Sequence, residues 1–297
     1  MSGQSDTSEA AAPAGPADLP FHPAAGVAWV LGAVALLVWL QRRGVLREAW
    51  LRGTPRRLPP LGGWDLLAAV GLFFVGSVVA MGLAEAVLGP NPLGRPDASP
   101  WAMVLLQLGT FGLPSAWVVW RAQRVRGGLR RLGFFFRWGH LRTVLVALPA
   151  GWLLASGVLV VAALAAQGLG LESPVVQHEL LLTLQERPGW RTLAPAILSA
   201  VVLAPLLEEI LLRGLVQSLC VRVLGRRRRW AAIACASAGF AALHLGSVPP
   251  QTLAGLFVLG VVFGAVYERT GSLTPAVLVH AGFNAFNVAV VAAGLAG

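Results

Sequence analysis

Charge is what this sequence has least of. Only 12% of its 297 residues are Asp, Glu, Lys or Arg, against about 25% in an ordinary soluble domain. That is too little polar surface to cover a water-soluble globule, so that class is excluded. Lysine is absent altogether, and all 23 basic residues are arginine. Two cysteines, Cys220 and Cys235, are too few for a disulfide framework and lack the spacing of a metal motif; both are expected as small core residues. No alternating segments of the transmembrane-barrel kind occur. Also missing are an HExxH zinc helix, a GxSxG nucleophile elbow and a phosphate-binding loop.

What is present is apolar sequence, 56% of the chain. Eight apolar runs stand out, at 24–40, 64–88, 101–120, 143–167, 192–221, 230–246, 252–267 and 274–295. A helix needs about 20 such residues to cross the hydrocarbon core, and in lipid the backbone must satisfy its own hydrogen bonds. The expected fold class is therefore all-α, a polytopic membrane bundle of about eight transmembrane helices. The sixth and seventh runs are the shortest and are candidates for incomplete spans or a re-entrant pair. Residues 1–22, rich in Ala, Pro, Ser and Gly, have the composition of a disordered lead-in. The rest, 23–297, reads as one membrane domain, with scaffold helices at 23–167 and the unusual polar residues concentrated at 190–297.

The net charge of +10 could suggest nucleic acid, but its distribution argues otherwise. The loop 41–63 holds six arginines, 121–142 seven, 222–229 five and 268–273 one, whereas the alternate loops are nearly bare. Every second loop is basic, the pattern of cytoplasmic loops under the positive-inside rule. Eight spans then put both termini outside, with anionic lipid headgroups as the partners of the arginines. Arginine without lysine, together with abundant Ala and Gly, points to a GC-rich genome and so to a bacterial plasma membrane.

A charge at membrane depth costs at least ~2.5–3.5 kcal/mol on insertion scales, so each one calls for a reason. Asp65 and Glu85 sit at opposite ends of the second run, where headgroups solvate them. Glu208 and Glu209 do not have that escape. They follow Pro205 in the stretch Ala204–Arg213. Adjacent helical residues point about 100° apart, so the two carboxylates do not share a face. Glu209 and Arg213 stand at i,i+4 and are placed to pair; Glu208 has no such partner and is left to face a cavity. A purely structural ion cluster is the competing reading of these three residues. His244 follows Phe240 by four residues, and Asn284 follows His280 by four, so each pair lies along one helix face. A carboxylate beside a His can take a proton from water, and Asn or His donors can hold an oxyanion. The set fits hydrolysis of an acyl or peptide bond.

Three motifs carry a resemblance. Glu208-Glu209-Ile210-Leu211-Leu212-Arg213, then Phe240-Ala241-Ala242-Leu243-His244, then His280-Ala281-Gly282-Phe283-Asn284 resemble the EExxxR, FxxxH and HxxxN signatures of the CPBP (CAAX prenyl protease and bacteriocin-processing, or Abi) family of intramembrane proteases. Tyr267–Leu273 also looks like that family, and the resemblance covers roughly 190–290. It implies an endopeptidase acting on a membrane-associated peptide or protein, which in such families is sometimes lipidated. By position it implies Glu208 and His244 as activators of water, His280 and Asn284 as oxyanion stabilisers, and Glu209 and Arg213 as support. Members are often labelled metalloproteases. A metal-free, glutamate-dependent reaction is favoured here because Asn is a poor zinc ligand; zinc held by Glu208, His244 and His280 is the alternative. Outside the enzymes, a proton-coupled transporter or a non-enzymatic immunity factor would use the same fold, but no inverted repeat with paired broken helices is evident.

Overall fold

The computed structural model describes residues 23–51, 58–92, 99–170 and 189–294; the expectation for residues 1–22 falls outside them. Ten helical elements follow in order: α1 (Pro23–Arg42), α2 (Glu48–Leu51), α3 (Gly63–Leu88), α4 (Trp101–Gln123), α5 (Gly128–Leu132), α6 (Gly139–Gly168), α7 (Trp190–Leu224), α8 (Arg229–Ala242), α9 (Pro250–Thr270) and α10 (Leu273–Ala292). No named strand occurs among the described residues; Leu245 and Val248 form one isolated bridge. Over the described residues the chain is a helical bundle, with seven helices among them long and apolar enough to cross a membrane.

The sixth run, a candidate for an incomplete span, is the one without a crossing-length helix. α8 has 14 helical residues, about 21 Å at 1.5 Å each, against a hydrocarbon core of ~30 Å. α9, by contrast, has its full 21 residues. The two are antiparallel in a fixed four-residue register. Arg229 meets Glu268, Ile233 lies against Gly264, and Ser237 against Gly260. Both basic-side ends are therefore level, and the non-helical stretch 243–249 supplies the length that α8 lacks.

α7 is the centre of the bundle. Over half of its most apolar window, 56%, is buried, against 11% for α1. Its Ile210, Leu211, Leu212 and Leu215 join Phe240, Phe263, Val266, Leu273 and Val279 in one core. The outer faces of α1, α3 and α6 stay apolar and exposed, as at Leu31, Val78 and Val146, which suits lipid. Small residues allow the closest helix approaches. A Cβ on Gly109 would collide with Ala80 and the Gly76 carbonyl, so α3 and α4 meet backbone to backbone.

Several arginines expected to face headgroups instead bond to groups of the protein itself. Arg121 pairs with Asp65 at 2.7 Å, and that carboxylate also accepts the Gly62 N–H at the start of α3 (2.8 Å). Buried Arg229 donates to the Leu51 carbonyl at 2.7 Å. Arg269 reaches the Trp50 carbonyl at 2.7 Å with its guanidinium over the Trp50 ring. Glu48 accepts the N–H groups of Arg229 and Trp230, each at 3.1 Å, capping α8 from the short helix α2. The turn between α9 and α10 is locked in the same way. Gly133, at φ +106° with no room for a side chain, receives the Leu273 N–H (2.8 Å) and the Ser272 hydroxyl (2.9 Å). Tyr267 donates to the Leu132 carbonyl at 3.1 Å. The cysteines are not core residues: Cys235 is exposed and Cys220 half-buried, on the side of α7 and α8 away from the packed centre.

Candidate active site

The carboxylate pair sits on a short α-helical step, Ala204–Glu209, between two wide π-helical segments of α7, Ile197–Leu203 and Ile210–Gln217. π turns close with i→i+5 bonds and frequently mark functional sites. The first has a chemical cause. The Ala204 N–H bonds the Ser199 carbonyl, five residues back. The next bond in that series would run from Pro205 to Ala200, but proline has no N–H. The donor is replaced from another helix: Asn284 on α10 donates its Nδ2–H to the Ala200 carbonyl at 2.7 Å.

The second π segment sets the direction of the polar side chains. In a plain α-helix a four-residue step overshoots one turn by about 40°; wider turns cancel that drift. Glu209, Arg213 and Gln217 therefore run in one straight column facing α9. Arg213 and Glu209 form an ion pair at 3.2 Å with both side chains fully buried, as their spacing implied. Arg213 also donates to the Gly260 carbonyl at 3.1 Å and lies between the rings of Phe240 and Phe263. Gln217 donates to the Gly264 carbonyl and to Glu268, each at 3.1 Å. The missing side chains at Gly260 and Gly264 leave those carbonyls reachable.

Glu209 has a second partner that spacing did not foresee. Its other oxygen lies 3.2 Å from Nδ1 of His280, so this carboxylate stands between an arginine and a histidine. The His280 ring stacks on Phe263 at 4.6 Å and meets the edge of Phe240. Glu208 is equally enclosed, at 7% exposure. Its Oε2 has no hydrogen-bond partner among the described residues, although both His280 and His244 lie within electrostatic reach. His244 comes just after the last turn of α8, and its Nδ1 is 2.9 Å from the Phe240 carbonyl. A carbonyl only accepts, so Nδ1 carries the proton and Nε2 presents a lone pair. Beside the Glu209 carboxylate, Nδ1 of His280 is likewise the donor, and Nε2 is turned away from that pair.

The structure thus gathers the motif residues Glu208, Glu209, Arg213, His244 and His280 around the Phe240–Phe263 pair, with Asn284 on the flank of α7. Among the described residues, no three His, Cys, Asp or Glu side chains lie close enough together to hold a metal ion. Glu208, His244 and His280 are therefore not set as a zinc shell. Sequence reasoning missed Gln217 and Glu268, both almost fully buried. Gln217 was passed over because it is uncharged, and Glu268 because it stands at the end of a run. Their common four-residue spacing from Arg213 and from Gly264 was the available signal.

Residues 190–286 match the family model described as Rce1-like, type II CAAX prenyl endopeptidase. That stretch is about a third of the chain and holds all three motifs, in keeping with a CPBP-family protease. No curated protein matches the chain. No solved structure matches it either.

Proposed function

Taking that Rce1-like match as premise, we propose that this protein is a glutamate-dependent endopeptidase that hydrolyses a peptide bond of a membrane-associated substrate. The observation that carries the reading is the division of labour within the carboxylate pair. Glu209 is ion-paired with Arg213 and His280, whereas the buried Oε2 of Glu208 has neither a hydrogen bond nor an ion pair among the described residues, with His244 and His280 within electrostatic reach. A buried carboxylate oxygen without a hydrogen bond is costly unless it has work to do.

In this reading Glu208 takes one proton from a water while His244, through its Nε2 lone pair, accepts the hydrogen bond of the other. The water oxygen attacks the substrate carbonyl carbon, and the π electrons move onto the carbonyl oxygen. His280 as an imidazolium, held by Glu209, and the second Nδ2–H of Asn284 donate to that oxyanion. Collapse breaks the C–N bond, and the leaving amine takes the proton from Glu208. No step passes through a metal ion.

The test is cleavage of membrane-anchored peptides, with and without a lipid chain, by the protein reconstituted in vesicles. Products identified by mass should appear with the native sequence and vanish with Glu208→Gln and with His244→Ala. Coupled ion flux in those vesicles with no peptide cleavage would instead identify a carrier.

A further inference from the structure

We propose that Gln107 and Ser115 on α4, outside the three motifs and outside the stretch that matches the family model, are positioning residues for Glu208. This inference rests on the peptidase reading. Between Ser199 and Leu207, α7 changes from π to α geometry around a proline, and its internal bonds are irregular there. The Ala204 N–H goes to the Ser199 carbonyl, and the Ile210 N–H is shared between the Leu206 and Leu207 carbonyls. Side chains of a neighbouring helix can insert into such a ladder.

α4 adds two side chains to this stretch, each bonding backbone groups already paired within α7. With its amide oriented to satisfy its neighbours, Gln107 donates Nε2–H to the Ser199 hydroxyl (2.5 Å) and the Ser199 carbonyl (3.2 Å). Its Oε1 accepts the Ala204 N–H at 3.1 Å. Ser115 donates its hydroxyl to the Leu207 carbonyl at 3.1 Å, one residue before Glu208. The two side chains hold α7 on both sides of Pro205, Gln107 at Ser199 and Ala204 before it and Ser115 at Leu207 after it, just ahead of the catalytic pair. Asn284 holds the Ala200 carbonyl within the same stretch.

The geometry of α4 is built for this grip. Eight residues of plain α-helix overshoot two turns by about 80°, which would turn Ser115 away from the face that Gln107 uses. The π turn Leu108–Gly112 lies between them and widens the winding enough to bring both onto α7. The opposite face of α4 is clamped to α3 through Gly76, Ala80 and Gly109, and Thr110 lies 3.1 Å from the hydroxyl of Ser77. α4 is thus a splint: fixed on one side, it holds the Glu208 step on the other.

The experiment compares Gln107→Met and Ser115→Ala with the native protein, each reconstituted in vesicles, for kcat, KM and thermal midpoint. Both replacements are apolar and fit a membrane helix. A sub-ångström to ångström displacement of a reacting group costs up to about 100-fold. Gln107→Met should lower kcat about tenfold and Ser115→Ala roughly threefold, with KM within about twofold and the midpoint within a few degrees. Native kcat in both variants overturns the proposal, as does a kcat loss that follows a matching loss of midpoint. Glu208→Gln runs alongside. If it retains turnover, the peptidase reading itself fails; if it is inactive while Gln107→Met is native-like, only the positioning role fails.

Discussion

Replacing Glu209 by Leu would remove the negative member of an ion pair in which both side chains are completely buried. Arg213 would then stand at zero exposure without its anion. Stranding one charge of a buried pair costs about 3–5 kcal/mol. The lower end applies here, because the Gly260 carbonyl and the Phe240 and Phe263 rings remain on the guanidinium. A destabilisation of about 3 kcal/mol is therefore expected, roughly a 150-fold shift in the folding equilibrium. Removing both charges, as in Glu209→Leu with Arg213→Met, should recover most of that loss, since apolar replacement of a whole buried pair is often neutral or stabilising. The assay is thermal or denaturant unfolding in lipid-containing micelles for the native protein, both single variants and the double. Single losses that simply add in the double, or a Glu209→Leu protein within about 1 kcal/mol of native, would refute the reasoning.

Two further outcomes follow from the backbone. Pro205→Ala returns an N–H aimed at the Ala200 carbonyl, which Asn284 now occupies; stability should hold or rise by up to about 1 kcal/mol while kcat falls, read from paired unfolding and turnover measurements. Gly109→Ala places a Cβ against Ala80 and the Gly76 carbonyl and should cost about 1–3 kcal/mol, whereas Gly71→Ala, with open space around it, should leave the unfolding midpoint unchanged.

The sequence is most legible where one physical rule dominates. Long apolar runs can only be helices in lipid, so seven of the eight expected spans match crossing-length helices to within a few residues. The remaining one, the sixth run at 230–246, was a candidate for an incomplete span by its length, and the helix does stop at Ala242, the chain continuing unwound through Gly246 at φ +83°. The pairing of Glu209 with Arg213 followed from spacing alone. The tie between Glu209 and His280, 71 residues apart, depends on how α7 and α10 pack, which local spacing does not encode. The π segments were equally hidden. Pro205 announced a missing donor, but not that the helix would widen before it or that Asn284 would fill the gap. Gln107 and Ser115 lie in the scaffold half, where one uncharged amide and one hydroxyl carry little signal in an apolar run.

The central claim is that Glu208, and not its neighbour, activates water for peptide hydrolysis. The most direct measurement is kcat for Glu208→Gln beside the native protein on one membrane-anchored peptide, with unfolding midpoints taken on the same preparations. Loss of a general base removes about 10²–10⁴-fold in rate, and the exchange of one buried oxygen for an amide should leave the midpoint near native. Turnover within a few-fold of native in a folded Glu208→Gln protein would contradict the account.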